Sequence, residues 1–320
     1  MLVSGTITTP ETLDDLLGPA LLAQLDRLDL GSERLFAGKL PGERRGKRRG
    51  RSVEFDDFRP YVPGDDLRHI DWNLYARLDK LIVKIFLEEQ DLSLHVAIDA
   101  SASMGAGGGS KSAMAMRLAG ALASIGLASR DRVSISVFGT GAPAHSGAYR
   151  GRTNLPALAR FILAKSRAVE PGTPSERFSD SMKSTVSART GKGVMVVLSD
   201  FLQPEGYDAG LRTLAAGGGF DVHLLQVLAP GEIDPALEQD SSGQRGLSGD
   251  VRLVDAETGL GKEVTISSAL VDRYKARLEE YVEDLASAAA ARDMSHTLLR
   301  SDADVVKVVG ERLRGVGVVR

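Results

Sequence analysis

Two aspartates of the sequence end apolar runs, and the first begins an alternating pattern of oxygen-bearing side chains. Asp99 ends HVAID and is followed by Ser101 and Ser103, whereas Asp200 ends VMVVLSD. Alternate residues of a loop that leaves a strand can direct their oxygens at one point, and Mg²⁺ prefers carboxylate and hydroxyl ligands. The pattern therefore indicates a metal site, at which Mn²⁺ and Ca²⁺ are the alternative ions.

Another hydroxyl for the same site comes from Thr153, which stands in GRTNLPAL just before a predicted helix. A threonine at this position is commonly a helix cap, and a solitary aspartate at a strand end is commonly a turn former. Two such aspartates, one of them inside D-x-S-x-S, favour the metal interpretation. The candidate metal ligands are therefore Asp99, Ser101, Ser103, Thr153 and Asp200.

The glycine-rich stretch at residues 105–112, GAGGGSKS, offers a different chemistry, because it nearly matches the G-x-x-x-x-G-K-[ST] loop that cradles phosphates. Ser110 stands where that loop requires a glycine, and residues 100–104 separate the stretch from the strand before it. These five intervening residues argue against a P-loop, because the turn of a P-loop follows its strand almost at once. A P-loop-like nucleotide hydrolase is therefore kept as the alternative function.

A metal-dependent phosphohydrolase is the second enzymatic alternative, since aspartates at strand ends can hold Mg²⁺ for phosphoryl transfer. The residue two positions after Asp99 is Ser101 and not a second carboxylic acid. His95 is the histidine nearest to these motifs, and its place within an apolar strand indicates a core residue. No G-x-S-x-G nucleophile motif occurs either. The sequence therefore shows no good nucleophile or base for this phosphohydrolase chemistry.

The elements that must position these residues alternate along the chain. Apolar runs LSLHVAID, RVSISVFG, GVMVVLSD and DVHLLQVL predict strands, and helical patterns at 112–129, 155–164, 175–189 and 208–216 lie between them. Such alternation predicts an α/β fold with a mostly parallel central sheet flanked by helices, and ligands collect at the carboxyl ends of its strands. Asp99 and Asp200 are then expected at neighbouring strand ends, where removal of Asp200 would relieve repulsion.

The flanking parts of the chain predict a division near residue 90. Residues 8–28 have leucines at helical spacing and predict one helix, residues 42–51 form a basic loop, and a small β-containing segment follows up to residue 90. Residues 91–320 form the α/β domain, interrupted at about 231–266 by an inserted β-hairpin and continued by a long helix at 268–291. We therefore expect an N-terminal extension, 1–90, and a main domain, 91–320.

Composition restricts the chemistry and the partners. The sequence has no cysteine, which excludes thiolate metal sites and disulfides, and its formal net charge is -3, which predicts no bulk attraction to nucleic acid. The basic loop lacks aromatic residues for base stacking, so a solvated loop or a docking surface for an acidic partner is preferred there over nucleic-acid binding. The N-terminus lacks a signal-peptide pattern and no membrane span is apparent, so we expect a cytoplasmic protein.

The five candidate ligands, in this order and spacing, resemble the metal-ion-dependent adhesion site (MIDAS) of von Willebrand factor type A domains. This resemblance implies a Rossmann-like fold and a binding domain rather than an enzyme. It also implies a site that captures a partner's acidic side chain through its metal ion. It also makes residues 105–109 the loop beside the ion, with Lys111 exposed in the first turn of the following helix.

A longer resemblance begins at about residue 40. The segment RRGRSVEFDDFRPYVPGDDLRHIDWNLYARLDKLIVKIFLEE, together with RTNL, VVLSDF and VRLVDAETG, resembles an uncharacterised bacterial family that contains this A-type domain. Members are often encoded beside AAA+ ATPases of the MoxR type. The resemblance therefore implies a MoxR-type ATPase as the partner, in assembly or maturation of a client protein.

Overall fold

The computed structural model describes residues 8–31, 54–63, 65, 67–87, 92–106, 110–235 and 249–320. The predicted basic loop at 42–51 lies outside these ranges, as do residues 107–109 of the glycine-rich stretch and residues 236–248 of the predicted insertion. The chain divides into two compact units: a main unit, residues 1–37 with 92–320, and a small unit, residues 38–91.

Helices and strands alternate through most of the described chain. The helices are α1 Leu13–Leu16, α2 Pro19–Leu25, α3 Trp72–Leu78, α4 Ser110–Ala128, α5 Leu155–Lys165, α6 Phe178–Ala188, α7 Asp208–Ala216, α8 Pro230–Ile233, α9 Ser268–Ala290 and α10 Val305–Lys307. The strands are β1 Glu54–Pro60, β2 Ile82–Leu87, β3 Ser93–Asp99, β4 Arg132–Phe138, β5 Ala144–His145, β6 Gly193–Ser199, β7 Phe220–Leu228, β8 Gly249–Val254, β9 Gly261–Ile266 and β10 Met294–Arg300. The predicted alternation of strands and helices is thus present.

The main unit is built on one sheet with the strand order β10-β7-β6-β3-β4-β5. All of its pairs are parallel except β4 with β5, the short antiparallel edge. Residues of β3, β6 and β7 are buried throughout, as expected for strands covered on both faces. The predicted α/β class with a mostly parallel central sheet is confirmed.

Each face of the sheet carries its own hydrophobic core, because successive residues of a strand point to opposite sides. Val96 of β3 belongs to a core with Leu118 of α4 and Leu158 of α5. Its neighbour Ala97 belongs to a second core with Phe178 of α6 and Leu285 of α9. Helices therefore cover both faces, and β3 lies between the two cores.

The N-terminal segment has two short helices where the sequence predicts one. Leu17 and Gly18 lie between them, and α2 starts at Pro19, because a proline lacks the N–H that a helix interior needs but suits the first position of a helix. Leu16 and Leu17 are buried in the core and pack closely against Gly120 of α4, where a Cβ would stand 3.2 and 3.3 Å from their Cγ atoms. This segment therefore belongs to the main unit, whereas the sequence-based division placed it with residues up to 90.

The main unit is closed by pairing between its first and last described segments. Leu30 and Val319 form an antiparallel bridge. Arg320 donates its N–H to the carbonyl of Asp29 at 2.8 Å, and Gly31 donates to the carbonyl of Val318 at 2.9 Å. Residues from opposite parts of the sequence thus complete one structural unit.

The small unit has a two-stranded antiparallel sheet, β1 with β2, and the helix α3 between them in sequence. Asp71 caps α3 by accepting the N–H groups of Asn73 and Leu74 at 2.9 and 3.0 Å, and its other oxygen lies 3.0 Å from Nζ of Lys84 on β2. One aspartate therefore fixes both the start of the helix and its link to the sheet.

An antiparallel hairpin, β8 with β9, precedes α9 as the sequence predicts. Its pairing runs from Gly249 opposite Ile266 to Val254 opposite Gly261, so that residues 255–260 form the tip. No helix among the described residues combines the length and the apolar character that crossing a bilayer requires.

Candidate metal centre

The candidate site lies at the carboxyl ends of the two central strands. β3 ends at Asp99 and its neighbour β6 ends at Ser199, immediately before Asp200. Because the two strands are parallel and adjacent, these aspartates come to the same edge of the sheet, as the sequence predicts. Two neighbouring parallel strands thus deliver the two carboxylates to one end of the fold.

Asp99 is completely buried and accepts hydrogen bonds from neutral donors among the described residues. Its Oδ1 accepts the N–H of Ser101 at 2.9 Å, and its Oδ2 accepts the hydroxyl of Ser199 at 2.5 Å. Burial, reinforced by the charge of Asp200, raises the pKa of Asp99 to about 7 in spite of these bonds. A cation beside Asp99 would therefore be strongly favoured electrostatically.

Two serine hydroxyls accompany the Asp99 carboxylate. Ser101 and Ser103 lie on the loop after β3, and their Oγ atoms are 3.1 Å apart. That loop continues into a 3-10 turn, Ala102–Gly105, in which Met104 is fully buried and anchors the loop in the core. The alternation of buried alanine and methionine with serine therefore holds the two hydroxyls together, as the D-x-S-x-S spacing predicts.

Gly139, just after β4, lets the backbone pass close to this loop. It has a φ of +82°, and a Cβ at this position would stand 2.7 Å from the nitrogen of Ser101 and 2.8 Å from Oδ1 of Asp99. Its N–H donates to Oε1 of Glu176 at 2.7 Å, which fixes the segment after β4. Only a glycine satisfies both the left-handed backbone and the close approach.

Asp200 is engaged by a cation of the protein itself. Its Oδ2 lies 2.9 Å from Nζ of Lys111, and its Oδ1 accepts the N–H of Leu202 at 3.0 Å. Lys111 also donates to Oε1 of Glu232 on α8 at 2.5 Å. At the strand end next to Asp99, Asp200 therefore balances the buried charge of Lys111.

The expectation that Lys111 is exposed is therefore wrong, since its side chain is 0 % exposed. The physical reason is that two carboxylates compensate the buried charge: burial acts to lower the pKa of Lys111, but Asp200 and Glu232 outweigh it and raise the pKa. An ammonium held in this way is also withheld from the phosphate-binding role that the P-loop alternative gives to this lysine.

Thr153 follows a segment that lies at the amino ends of the strands, opposite the site. Tyr149, four positions before it, bridges Val133 at the amino end of β4, whereas Asp99 pairs with Phe138 at the carboxyl end of that strand. The structure therefore does not bring Thr153 to the other four candidate ligands. Thr153 has the place in the sequence that the motif requires, but the chain reaches the carboxyl ends of the strands only after α5. There Val169 donates its N–H to the carbonyl of Ala100 at 3.0 Å.

Glu257, at the tip of the β8–β9 hairpin, reaches the site without having been predicted. Its Oε1 accepts the N–H of Ser103 at 3.0 Å. The sequence signal was the turn DAETG between two strands, but a turn does not indicate which distant loop it will contact. Sequence reasoning therefore found the hairpin and missed its acidic contribution.

His95 is a core residue, as predicted. Its ring nitrogens lie 2.8 Å from the hydroxyls of Ser134 and Ser136, and Ser136 lies 2.7 Å from Nδ1 of His145 on β5. Burial, with the nearby His145 and Arg189, lowers the pKa of His95 to about 3. The ring is neutral and enclosed, so it is not placed to act as a base at the site.

The chemistry of the donor set fits a hard divalent ion such as Mg²⁺. Asp99 supplies a buried carboxylate, Ser101 and Ser103 supply neutral oxygens, and Mg²⁺ retains water readily at its other positions. The described residues include no group of three or more His, Asp or Glu side chains suited to a metal ion, so the site depends on hydroxyls. Such a site leaves most of the ion's charge uncompensated.

Comparisons with known proteins identify the family of this chain. The chain is similar to the protein Rv1480 of Mycobacterium tuberculosis, with 28% identity over 308 residues, covering 94% of this chain and 92% of that protein. It is also similar to MAV169 of Mycobacterium avium, with 32% identity over 129 residues, covering 39% of this chain and 69% of that protein.

A solved structure, that of the conserved hypothetical protein BatB from Bacteroides thetaiotaomicron, matches with a TM-score of 0.41 and 14% identity, covering 70% of this chain and 98% of that one. The family model described as "Protein of unknown function DUF58" matches residues 57–283, which include β3, Lys111, β6 and the hairpin tip. This chain belongs to the DUF58 family.

Proposed function

We propose that this DUF58 protein is a non-enzymatic binding module with a von Willebrand factor type A-like fold, which captures an acidic side chain of a partner protein through a divalent ion. The observation that carries the proposal is the buried Asp99 carboxylate with two serine hydroxyls, 3.1 Å apart, at the carboxyl ends of the central strands. The ligands would be Asp99, Ser101 and Ser103, and the ion would be Mg²⁺, with Mn²⁺ or Ca²⁺ as substitutes.

The distribution of charge among the residues around the ion supports capture of an anion. Asp99 supplies the negative charge of the ligand set, because Ser101 and Ser103 are neutral and Asp200 is balanced by Lys111. When bound, the ion supplies Lewis-acid attraction for an anionic oxygen. The protein's part is to hold the three oxygens in place, through the short contacts of Asp99 with Ser199 and Ser101 and through the buried Met104.

A binding role is favoured over catalysis by the residues around the site. Lys111 is committed to two carboxylates, and His95 is enclosed with a pKa of about 3, so neither is available as a phosphate clamp or as a general base near neutral pH. The proposed partner is a MoxR-type AAA+ ATPase, acting with this protein on a client. That partner rests on the resemblance that starts near residue 40, and the site adds the chemistry of the contact: an acidic side chain of the partner.

Metal binding and capture are tested together. Calorimetry should show binding of Mg²⁺ or Mn²⁺ to the wild type, and Asp99→Asn or Ser101→Ala should weaken it at least about 10-fold, since even residues that only orient metal ligands matter by about 10- to 100-fold. Thr153→Ala is the matched control and should bind the ion like the wild type. A purified MoxR-type ATPase should be retained by the immobilised protein with Mg²⁺, and released by a chelator.

Two results would overturn the proposal. One is a wild-type protein that binds neither ion at millimolar concentration. The other is capture of the ATPase that survives both the chelator and Asp99→Asn, because the contact would then lie elsewhere on the protein.

A further inference from the structure

The tip of the β8–β9 hairpin is attached to the loops of the candidate metal centre. Besides the bond from Ser103 N–H to Oε1 of Glu257, Oε2 of Glu257 accepts the hydroxyl of Ser175 at 3.4 Å. The carbonyl of the preceding Ala256 accepts the N–H of Gly172 at 3.1 Å. Glu257 is thus held against the same serine whose hydroxyl is a candidate metal ligand.

The tip is a preformed turn that presents this carboxylate. Oδ1 of Asp255 accepts the N–H groups of Glu257 and Thr258 at 2.9 and 2.8 Å. The turn is closed by Gly259, which has a φ of +70° and donates its N–H to the carbonyl of Asp255 at 2.8 Å. Because the turn is ordered by its own hydrogen bonds, Glu257 loses little additional conformational freedom on reaching the site.

Apolar packing does not account for the position of the tip. The large apolar side chains nearest to it, Leu253, Val254 and Leu260, are 47%, 58% and 73% exposed. The described contacts between the tip and the site loops are the polar ones of Ala256 and Glu257. A carboxylate, and not a hydrophobic anchor, therefore brings the hairpin to the site.

We propose that Glu257 is the chain's own occupant of the position that a partner's carboxylate takes beside the ion, so that the hairpin tip and the partner compete. This inference rests on the proposed function and deepens it: the ligand class is an acidic side chain carried on a tight turn. A carboxylate next to a divalent ion strengthens its binding and, while it stays there, excludes a second one. Glu257 therefore favours the ion and opposes the partner, two effects of opposite sign that a purely structural contact would not produce.

The test uses Glu257→Gln, which keeps the size of the side chain and removes its charge. The matched control is Glu263→Gln on β9 of the same hairpin, which is exposed and faces Arg252 across the ladder. The probe is a labelled peptide with the sequence of residues 251–264, VRLVDAETGLGKEV, which contains the acidic turn. A second peptide with Gln in place of Glu257 serves as the negative probe.

Three readouts are expected to move together. Glu257→Gln should lower Mg²⁺ affinity about 10-fold by calorimetry, a loss typical of residues around a metal. In Mg²⁺ it should bind the acidic peptide at least about 10-fold more tightly than the wild type, whose own tip competes at the millimolar effective concentration of a tethered ligand. Mg²⁺ should slow hydrogen exchange at 255–260 in the wild type and in Glu263→Gln but not in Glu257→Gln.

The outcomes separate this inference from the proposed function. If Asp99→Asn abolishes Mg²⁺ binding while Glu257→Gln binds the ion like the wild type and takes up no peptide, Glu257 is only a structural contact and the metal site stands. If the wild type and Glu257→Gln both bind no ion, the proposed function fails and this inference fails with it.

Discussion

Replacing Lys111 by methionine would test whether its buried ammonium balances the carboxylates of Asp200, which follows β6, and Glu232 on α8. Methionine keeps an unbranched stem in this part of the core and removes the ammonium group, with its charge and its hydrogen-bond donors. Asp200 would then be 0 % exposed without its cation, whereas Glu232, 23% exposed, can turn to water. Breaking a buried ion pair from one side costs about 3–5 kcal/mol, so we expect the free energy of unfolding to fall by about that amount.

The assay is urea denaturation followed by far-ultraviolet circular dichroism. Tryptophan fluorescence is unsuitable, because the single tryptophan, Trp72, lies on α3 of the small unit. A double variant, Lys111→Met with Asp200→Asn, removes the stranded charge as well and should recover a large part of the loss. The double-mutant cycle should therefore give a coupling energy above about 1 kcal/mol.

Two observations would refute this reasoning. The first is a loss below about 1 kcal/mol in Lys111→Met, which would mean that water or a rearranged side chain already compensates Asp200. The second is a stabilising Asp200→Ala, which the sequence alone led us to expect from repulsion between the two aspartates. The structure reverses that expectation, because removal of Asp200 takes from Lys111 one of its two anionic partners.

Two further predictions concern groups near the site. His95 stays neutral in the folded protein, because burial lowers its pKa from 6.5 to about 3, while the unfolded chain takes up a proton near pH 6.5. The contribution of His95 to the free energy of unfolding is therefore complete above pH 6.5 and falls by up to about 1.4 kcal/mol per pH unit between pH 6.5 and 3. His95→Gln should flatten that part of a plot of unfolding free energy against pH. An unchanged slope would contradict the burial argument. Gly139→Ala should lower the free energy of unfolding, measured by urea denaturation, by about 1–3 kcal/mol and should weaken Mg²⁺ binding in calorimetry. The reason is that alanine strains the left-handed backbone and its Cβ collides with Ser101 and Asp99. A variant as stable as the wild type would contradict this argument, because the loop would then have moved to accept the Cβ.

Local patterns were sufficient for the sheet and for the core of the site. The two strands that lead to the site aspartates, β3 and β6, are largely apolar in sequence. The period of the helical patterns places α4, α5 and α7 within a few residues of their observed bounds. Asp99, Ser101 and Ser103 are close in sequence, so the shape of one loop decides their arrangement. Residues this near to one another are the ones whose proximity a sequence can predict.

Features that depend on distant contacts escaped prediction. Lys111 looks like a surface residue until two carboxylates from β6 and α8 are brought to it by the fold. Thr153 comes at the expected point in the sequence motif, but α5, which follows it, runs along the whole length of the strands before the chain reaches the site. The contact of Glu257 with Ser103 could not be predicted either, because the sequence of a hairpin turn does not specify which distant loop the turn contacts.

The pairing of residues 29–31 with 318–320 has a consequence for the time course of folding. The buried leucines of α1 and α2 are synthesised early, whereas residues 318–320, which pair with the segment that follows them, are synthesised much later. At about 5–20 residues per second, this interval is roughly 15–60 s on the ribosome. Contacts so far apart in sequence also form slowly after release. Throughout that time Leu16, Leu17 and Leu25 lack part of the core that buries them, so a nascent chain of this protein exposes a leucine-rich segment on which a chaperone could act before the sheet is complete.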